Sequence, residues 1–131
     1  MKLFTKIMLV LILLFLIGIS VTEEAITSKV LKTVNTYCYQ IESVIKDKED
    51  IREVDVTVLV DNMQYEWVNG ESKLCYLVNH KSIQEIGYEI VKMKNYLSQN
   101  DIKEFKASLE AIRFYSEGYL HFMGANLHNV L

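Results

Sequence analysis

Hydrophobic positions follow two regimes along the chain. From Ile7 to Ile19 no residue carries a polar side chain, and Lys2 and Lys6 precede this run while Glu23 and Glu24 follow it. Beyond Ala25 the apolar residues become periodic. Val30, Val34, Tyr37, Ile41 and Val44 alternate steps of four and three, with Leu31, Cys38 and Ile45 widening the face, which predicts a core-facing helix over 25–45. A charged stretch, Lys46 to Glu49, ends it, and Asp50-Ile51-Arg52-Glu53 has the acidic cap and following Glu that open a second helix.

The next residues conflict. Val54, Val56, Val58 and Val60 alternate as a strand would. Helix is nevertheless expected, because Val56, Val60, Met63 and Trp67 continue a helical spacing and a lone strand would have no partner. Asn69-Gly70 predicts a break or bend. Ser82-Ile83-Gln84-Glu85 reads as another capping box, followed by Ile86, Ile90, Met93 and Leu97 on one face. After Ser98-Gln99-Asn100, the segment Asp101-Ile102-Lys103-Glu104 repeats the earlier start, and Ile102, Phe105, Leu109, Ile112, Ser116 and Tyr119 trace the cleanest helical stripe. The expected fold is all-α: a transmembrane or signal segment, then a small antiparallel bundle of about four helices, conceivable as two stacked hairpins.

The leader sets the domain organisation, with residues 1–22 a signal anchor or signal peptide and 23–131 an extracytoplasmic helical domain. Charge, apolar run and small residues around Gly18 and Ser20 fit an export signal. No Ala-x-Ala precedes a cut, and residues 3–22 come close to the ~20 needed to span a bilayer. A retained single-pass anchor in the cytoplasmic membrane is the favoured reading, with cleavage near Ser20 and secretion the alternative. Lys2 and Lys6 place the N-terminus inside and the body outside.

Without Lys2 and Lys6 the body has 12 basic against 17 acidic residues, a balance that argues against a nucleic-acid partner. The 131-residue chain leaves room for one core and no second domain. Proline is absent, and no Gly/Ser-rich linker occurs beyond the few residues after the leader.

A leading apolar segment, an Asp-led helix, Trp67, Asn79-His80 opening the next helix, Asn100-Asp101 between helices and the ending Asn126-Leu127-His128-Asn129-Val130-Leu131 resemble bacterial domain-of-unknown-function family 4363. The resemblance spans about Asp50 to Leu131 and marks Trp67, His80, Asn126 and Asn129 as family-like positions. It implies a small membrane-anchored or exported helical protein and no defined activity.

Candidate chemistry is sparse. Cys38 and Cys75 lie in an exported body, so a disulfide is considered. On two straight antiparallel helices they would stand about 22 Å apart along the axis, so pairing requires the chain to fold back near Gly70. His80, His121 and His128 have no metal-ligand spacing. Glu85 and Glu89 share a face with Lys81 and Lys92 nearby, the pattern of a salt-bridged surface. No nucleophile elbow, phosphate loop or zinc-protease motif is present, so neither enzymatic activity nor a cofactor is expected. In "RFYSEGYLHFM", residues 113–123, Phe114, Tyr115 and Phe122 are the candidate interaction surface, against core packing as the plainer reading. The expected function is a non-enzymatic accessory module for a membrane protein or complex. A secreted binder of a small ligand or envelope component is the alternative, and a metal or redox site at the Cys and His residues a distant one.

Overall fold

The computed structural model describes residues 2–74 and 80–130, with the backbone alone for residues 80, 82 and 123–130. Four helices follow in order: α1 (Lys2–Ile45), α2 (Val54–Leu74), α3 (His80–Ser98) and α4 (Ile102–Val130). The Val54 to Val60 stretch is helical, and among the described residues there is no strand.

α1 is one unbroken helix of 44 residues. Its first half is the apolar leader, and none of that stretch is buried. Its second half buries Thr27, Leu31, Val34, Cys38, Ile41 and Ile45. The core stripe is thus centred one residue beyond the expected one, and Val30, Tyr37 and Val44 form its half-buried margins. No linker separates leader from body. Val21 and Thr27, the first buried position, are about 9 Å apart on a helix rising 1.5 Å per residue.

Three cross-helix contacts fix the directions. Cys38 Sγ lies 4.0 Å from Met63 Sδ, and a Cβ at Gly70 would fall against Val30, so α2 runs antiparallel to α1. Arg113 Nη1 pairs with Glu42 Oε2 at 2.7 Å while Tyr39 donates to Glu117 at 2.6 Å, so α4 also runs antiparallel to α1. Trp67 faces Gly87 and Lys94 Nζ meets Asp61 Oδ1 at 3.0 Å, which sets α3 antiparallel to α2. α4 packs on α3 and on α1, α1 on α2, and α2 touches α3 far less.

The core is a column of apolar side chains with Trp67, Phe105, Met63 and Met93 as its large members. At the end far from the leader, Ile51 is fully buried between the connections 46–53 and 99–101. Asn100 joins them. Its Oδ1 accepts from the Ile51 backbone N–H at 2.9 Å, and its own φ is 52°. Asn tolerates this left-handed conformation better than most residues.

Three expected boundaries differ. α2 continues without a break through Asn69-Gly70 to Leu74, because Gly70 serves close packing against Val30 and not chain reversal. α3 is helical already at His80, where the family resemblance has a helix open, two residues ahead of the Ser82 capping box. α2 begins at Val54, not at Asp50: the Asp50 carboxylate is taken by Arg52, through its backbone N–H at 2.9 Å and its guanidinium at 2.7 Å, and Glu53 C=O accepts the first helical bond from Thr57.

Candidate functional site

Phe114 and Phe122, 73% and 61% exposed, stand on the outer surface of α4. The stripe through Phe105, Leu109, Ile112 and Ser116 faces the core, and Phe114, two residues past Ile112, is turned about 200° from it. Tyr115 is half-buried against the core and touches Phe114 edge-on, with ring centroids 5.8 Å apart. Two of the three aromatic residues singled out in the sequence are therefore free of the core and the third is mostly committed to it. Sequence reasoning weighed them toward packing because it could not see that α1 to α3 already fill the core.

Between α1 and α4 runs a groove of about 540 Å³ lined by Tyr39, Glu42, Lys46, Lys106 and Arg113 among others. Two of its polar groups are engaged across the helices, Arg113 with Glu42 and Tyr39 with Glu117, and the Arg113 guanidinium lies 5.4 Å from the Tyr39 ring centre. The bond to Glu117 raises the Tyr39 hydroxyl above its ordinary pKa. Beneath this cluster Cys38 is fully buried with a free thiol, and burial pushes its pKa up to about 12. Such a thiol is neutral and unreactive. Cys75 lies outside the described residues, as do the side chains of His80, His128, Asn126 and Asn129. Among the described residues no three His, Cys, Asp or Glu side chains converge as a metal site would require.

The face formed by α2 and α3 was not singled out from the sequence. Tyr65 and Val68 on α2 and Tyr88 and Val91 on α3 are each more than half exposed. Val68, Tyr88 and Val91 border a cleft of about 290 Å³ whose floor holds Trp67 and Gly87. Trp67 is 2% exposed, and its Nε1–H has no hydrogen-bond partner among the described residues. A Cβ at position 87 would lie 3.0 Å from that nitrogen, so glycine lets the indole edge rest against α3. On the same helix Glu89 pairs with Lys92 at 3.1 Å, and Lys92 lies over the Tyr88 ring. A signal for this face does exist in the sequence: Tyr65 and Val68 lie off the Val56, Val60, Met63, Trp67 stripe, where polar residues would be expected.

With the geometry in view, the family model for a domain of unknown function, DUF4363, matches residues 25–130. The chain is a member of the DUF4363 family. The match covers all four helices of the bundle, including the body half of α1, and leaves the apolar leader outside it. No curated protein and no solved structure matches this DUF4363 member.

Proposed function

We propose that this DUF4363 protein is a membrane-tethered, non-enzymatic interaction module, held on the outer face of the cytoplasmic membrane as an accessory to a membrane protein or complex. The observation that carries this reading is the continuity of α1: an unburied apolar segment long enough to span a bilayer passes without a break into the helix at the core of the bundle. A leader of that kind holds the body at a set height, whereas a flexible linker would let it wander. Lys2 and Lys6 before the segment and Glu23-Glu24 after it support the orientation with the body outside.

Height matters for the partner. Carrying the Arg113/Glu42 register along α4 brings Phe122 level with about residue 33 of α1, roughly 17 Å beyond residue 22. That exceeds the reach of the headgroup layer and matches the extracytoplasmic loops of a neighbouring membrane protein. Confinement in the bilayer raises effective concentration, so a small aromatic surface such as Phe114 and Phe122 suffices for a partner.

The test is the intact mass of the chain in the membrane and released fractions of its native host, followed by crosslinking. Full-length mass in membranes, with a crosslinked neighbour lost on Phe114→Ser or Phe122→Ser at unchanged melting temperature, supports the proposal. A mass beginning near Val21 in the released fraction overturns the tether and favours the secreted binder.

A further inference from the structure

We infer that two copies of this chain pair through the α2/α3 face, Tyr65 and Val68 of each copy packing on Val91 and Tyr88 of the other about an axis parallel to α1. Each of these four side chains is more than half exposed, and they gather where adjacent helices touch least. Among the described residues, the rest of the exposed surface of α3 is charged or polar.

The choice of a second copy follows from complementary charge on α2 and α3 at matched heights. Within one chain Trp67 is level with Gly87, and Asp61 with Lys94. Tyr65 is therefore within about two residues of the level of Val91, and Val68 of that of Tyr88. A twofold axis along the bundle keeps every residue at its height and exchanges left for right, so α2 of one copy faces α3 of the other with those same levels opposed. The apolar patch thus meets itself in register. Charge follows the same rule, since Asp61 of each copy comes opposite Lys94 of the other, extending the 3.0 Å pair already present within the chain. The five charged residues of α2 sum to −3, while the Lys and Glu residues of α3 sum to +1. A pairing displaced along the helices would move the patch off itself, and an antiparallel one is closed to chains that share one direction in a bilayer.

The tether supplies the axis. Chains anchored in one bilayer share direction and depth, so the operation available to them is rotation about the membrane normal, and confinement lowers the interface area that pairing needs. This step rests on the tethered reading above. The pairing covers the cleft between Val68, Tyr88 and Val91.

The decisive experiment uses full-length chain reconstituted in phospholipid vesicles from an equal mixture of ¹⁴N- and ¹⁵N-labelled protein, treated with a zero-length carbodiimide crosslinker. The expected product is a mixed-isotope dimer joined between Asp61 and Lys94, its yield rising with protein density in the vesicle. In parallel, copies carrying Tyr65→Asp with Val68→Asp, and copies carrying Tyr88→Lys with Val91→Lys, lose self-pairing and regain it when mixed. Only α2-to-α3 packing predicts that rescue. Carbonate-resistant insertion with no mixed-isotope product overturns the pairing and leaves the tether standing. Carbonate extraction with the Asp61–Lys94 product intact overturns the tether and keeps the pairing. Crosslinking of Asp61 or Lys94 to a different protein, in native membranes, assigns the face to that protein and overturns the second copy.

Discussion

Asn100 holds Ile51 in place across the end of the bundle. Its Oδ1 accepts the Ile51 N–H at 2.9 Å, its Nδ2 reaches Glu49 C=O at 3.4 Å, and its backbone adopts φ 52° in the turn between α3 and α4. One side chain thus ties the two connections farthest from the apolar leader, and Ile51 plugs the core between them. Asn100→Ala loses the acceptor and strains the backbone, at a cost of about 2 kcal/mol. Asn100→Gly loses only the acceptor and costs less. Urea melts of the full chain in detergent, followed by circular dichroism, check the order of the two.

Gly70 is the second close approach. A Cβ there would fall 2.6 Å from Val30 Cγ1 and 2.7 Å from Cγ2. Alanine is intrinsically better in a helix by about 1 kcal/mol, but overpacking costs about 1–3 kcal/mol. Gly70→Ala is therefore expected to destabilise, and Val30→Ala added to it to recover part of the loss, as thermal melts of the single and double variants would show. A stabilised Gly70→Ala would mean that Val30 yields.

Trp67 fills the core while leaving its N–H unpartnered. Trp67→Ala is expected to cost about 3–5 kcal/mol as a cavity. Trp67→Phe keeps most of the ring volume and removes a buried donor whose burial costs about 1–3 kcal/mol, so its penalty is expected to fall well below that of alanine. Parallel urea titrations measure both.

Cys38 is expected to resist alkylation in the folded chain at pH 8 and to react on unfolding. Burial raises its pKa from 9.0 to about 12, so its contribution to stability is complete below pH 9 and is lost as pH rises toward 12. Cys38→Ser should flatten that alkaline loss. Mass-detected alkylation against pH and denaturant reads both effects.

At the acid end, hydrogen bonds from Arg52 hold the Asp50 carboxyl at about 2, below its ordinary 3.8. Its contribution is present above pH 3.8 and lost as pH falls through about 2. Arg52→Ala should return the Asp50 titration toward 3.8 in a carboxyl NMR experiment.

The two Asp-Ile-basic-Glu segments show where sequence reading stops. Asp101 behaves as its pattern implies, its Oδ1 accepting from the Glu104 N–H at 3.2 Å to cap α4. Asp50 does not. Its carboxylate is engaged by Arg52, the Ile51 N–H is satisfied by Asn100, and the helix waits until Val54. Four identical pattern positions thus take two structures, because a partner 49 residues away competes for one of the backbone groups. The Val54 to Val60 alternation is decided similarly, since burying Val56 and Val60 leaves Val54 and Val58 exposed on the opposite side of a helix.

What the sequence by itself determined is periodic and local: an apolar leader flanked by asymmetric charge, four helices, their core stripes to within a residue, and family membership through spaced residues. Those properties follow from side-chain period and capping chemistry, which act within a few residues. Tertiary structure alone decided that the leader and first core helix are one rod, that Gly70 is a contact and not a break, and that Phe114 and Phe122 are left outside a core already filled. It also decided that Tyr65, Val68, Tyr88 and Val91 share a face. These depend on which helices touch and at what register, and that is set by long-range packing, which no local pattern encodes.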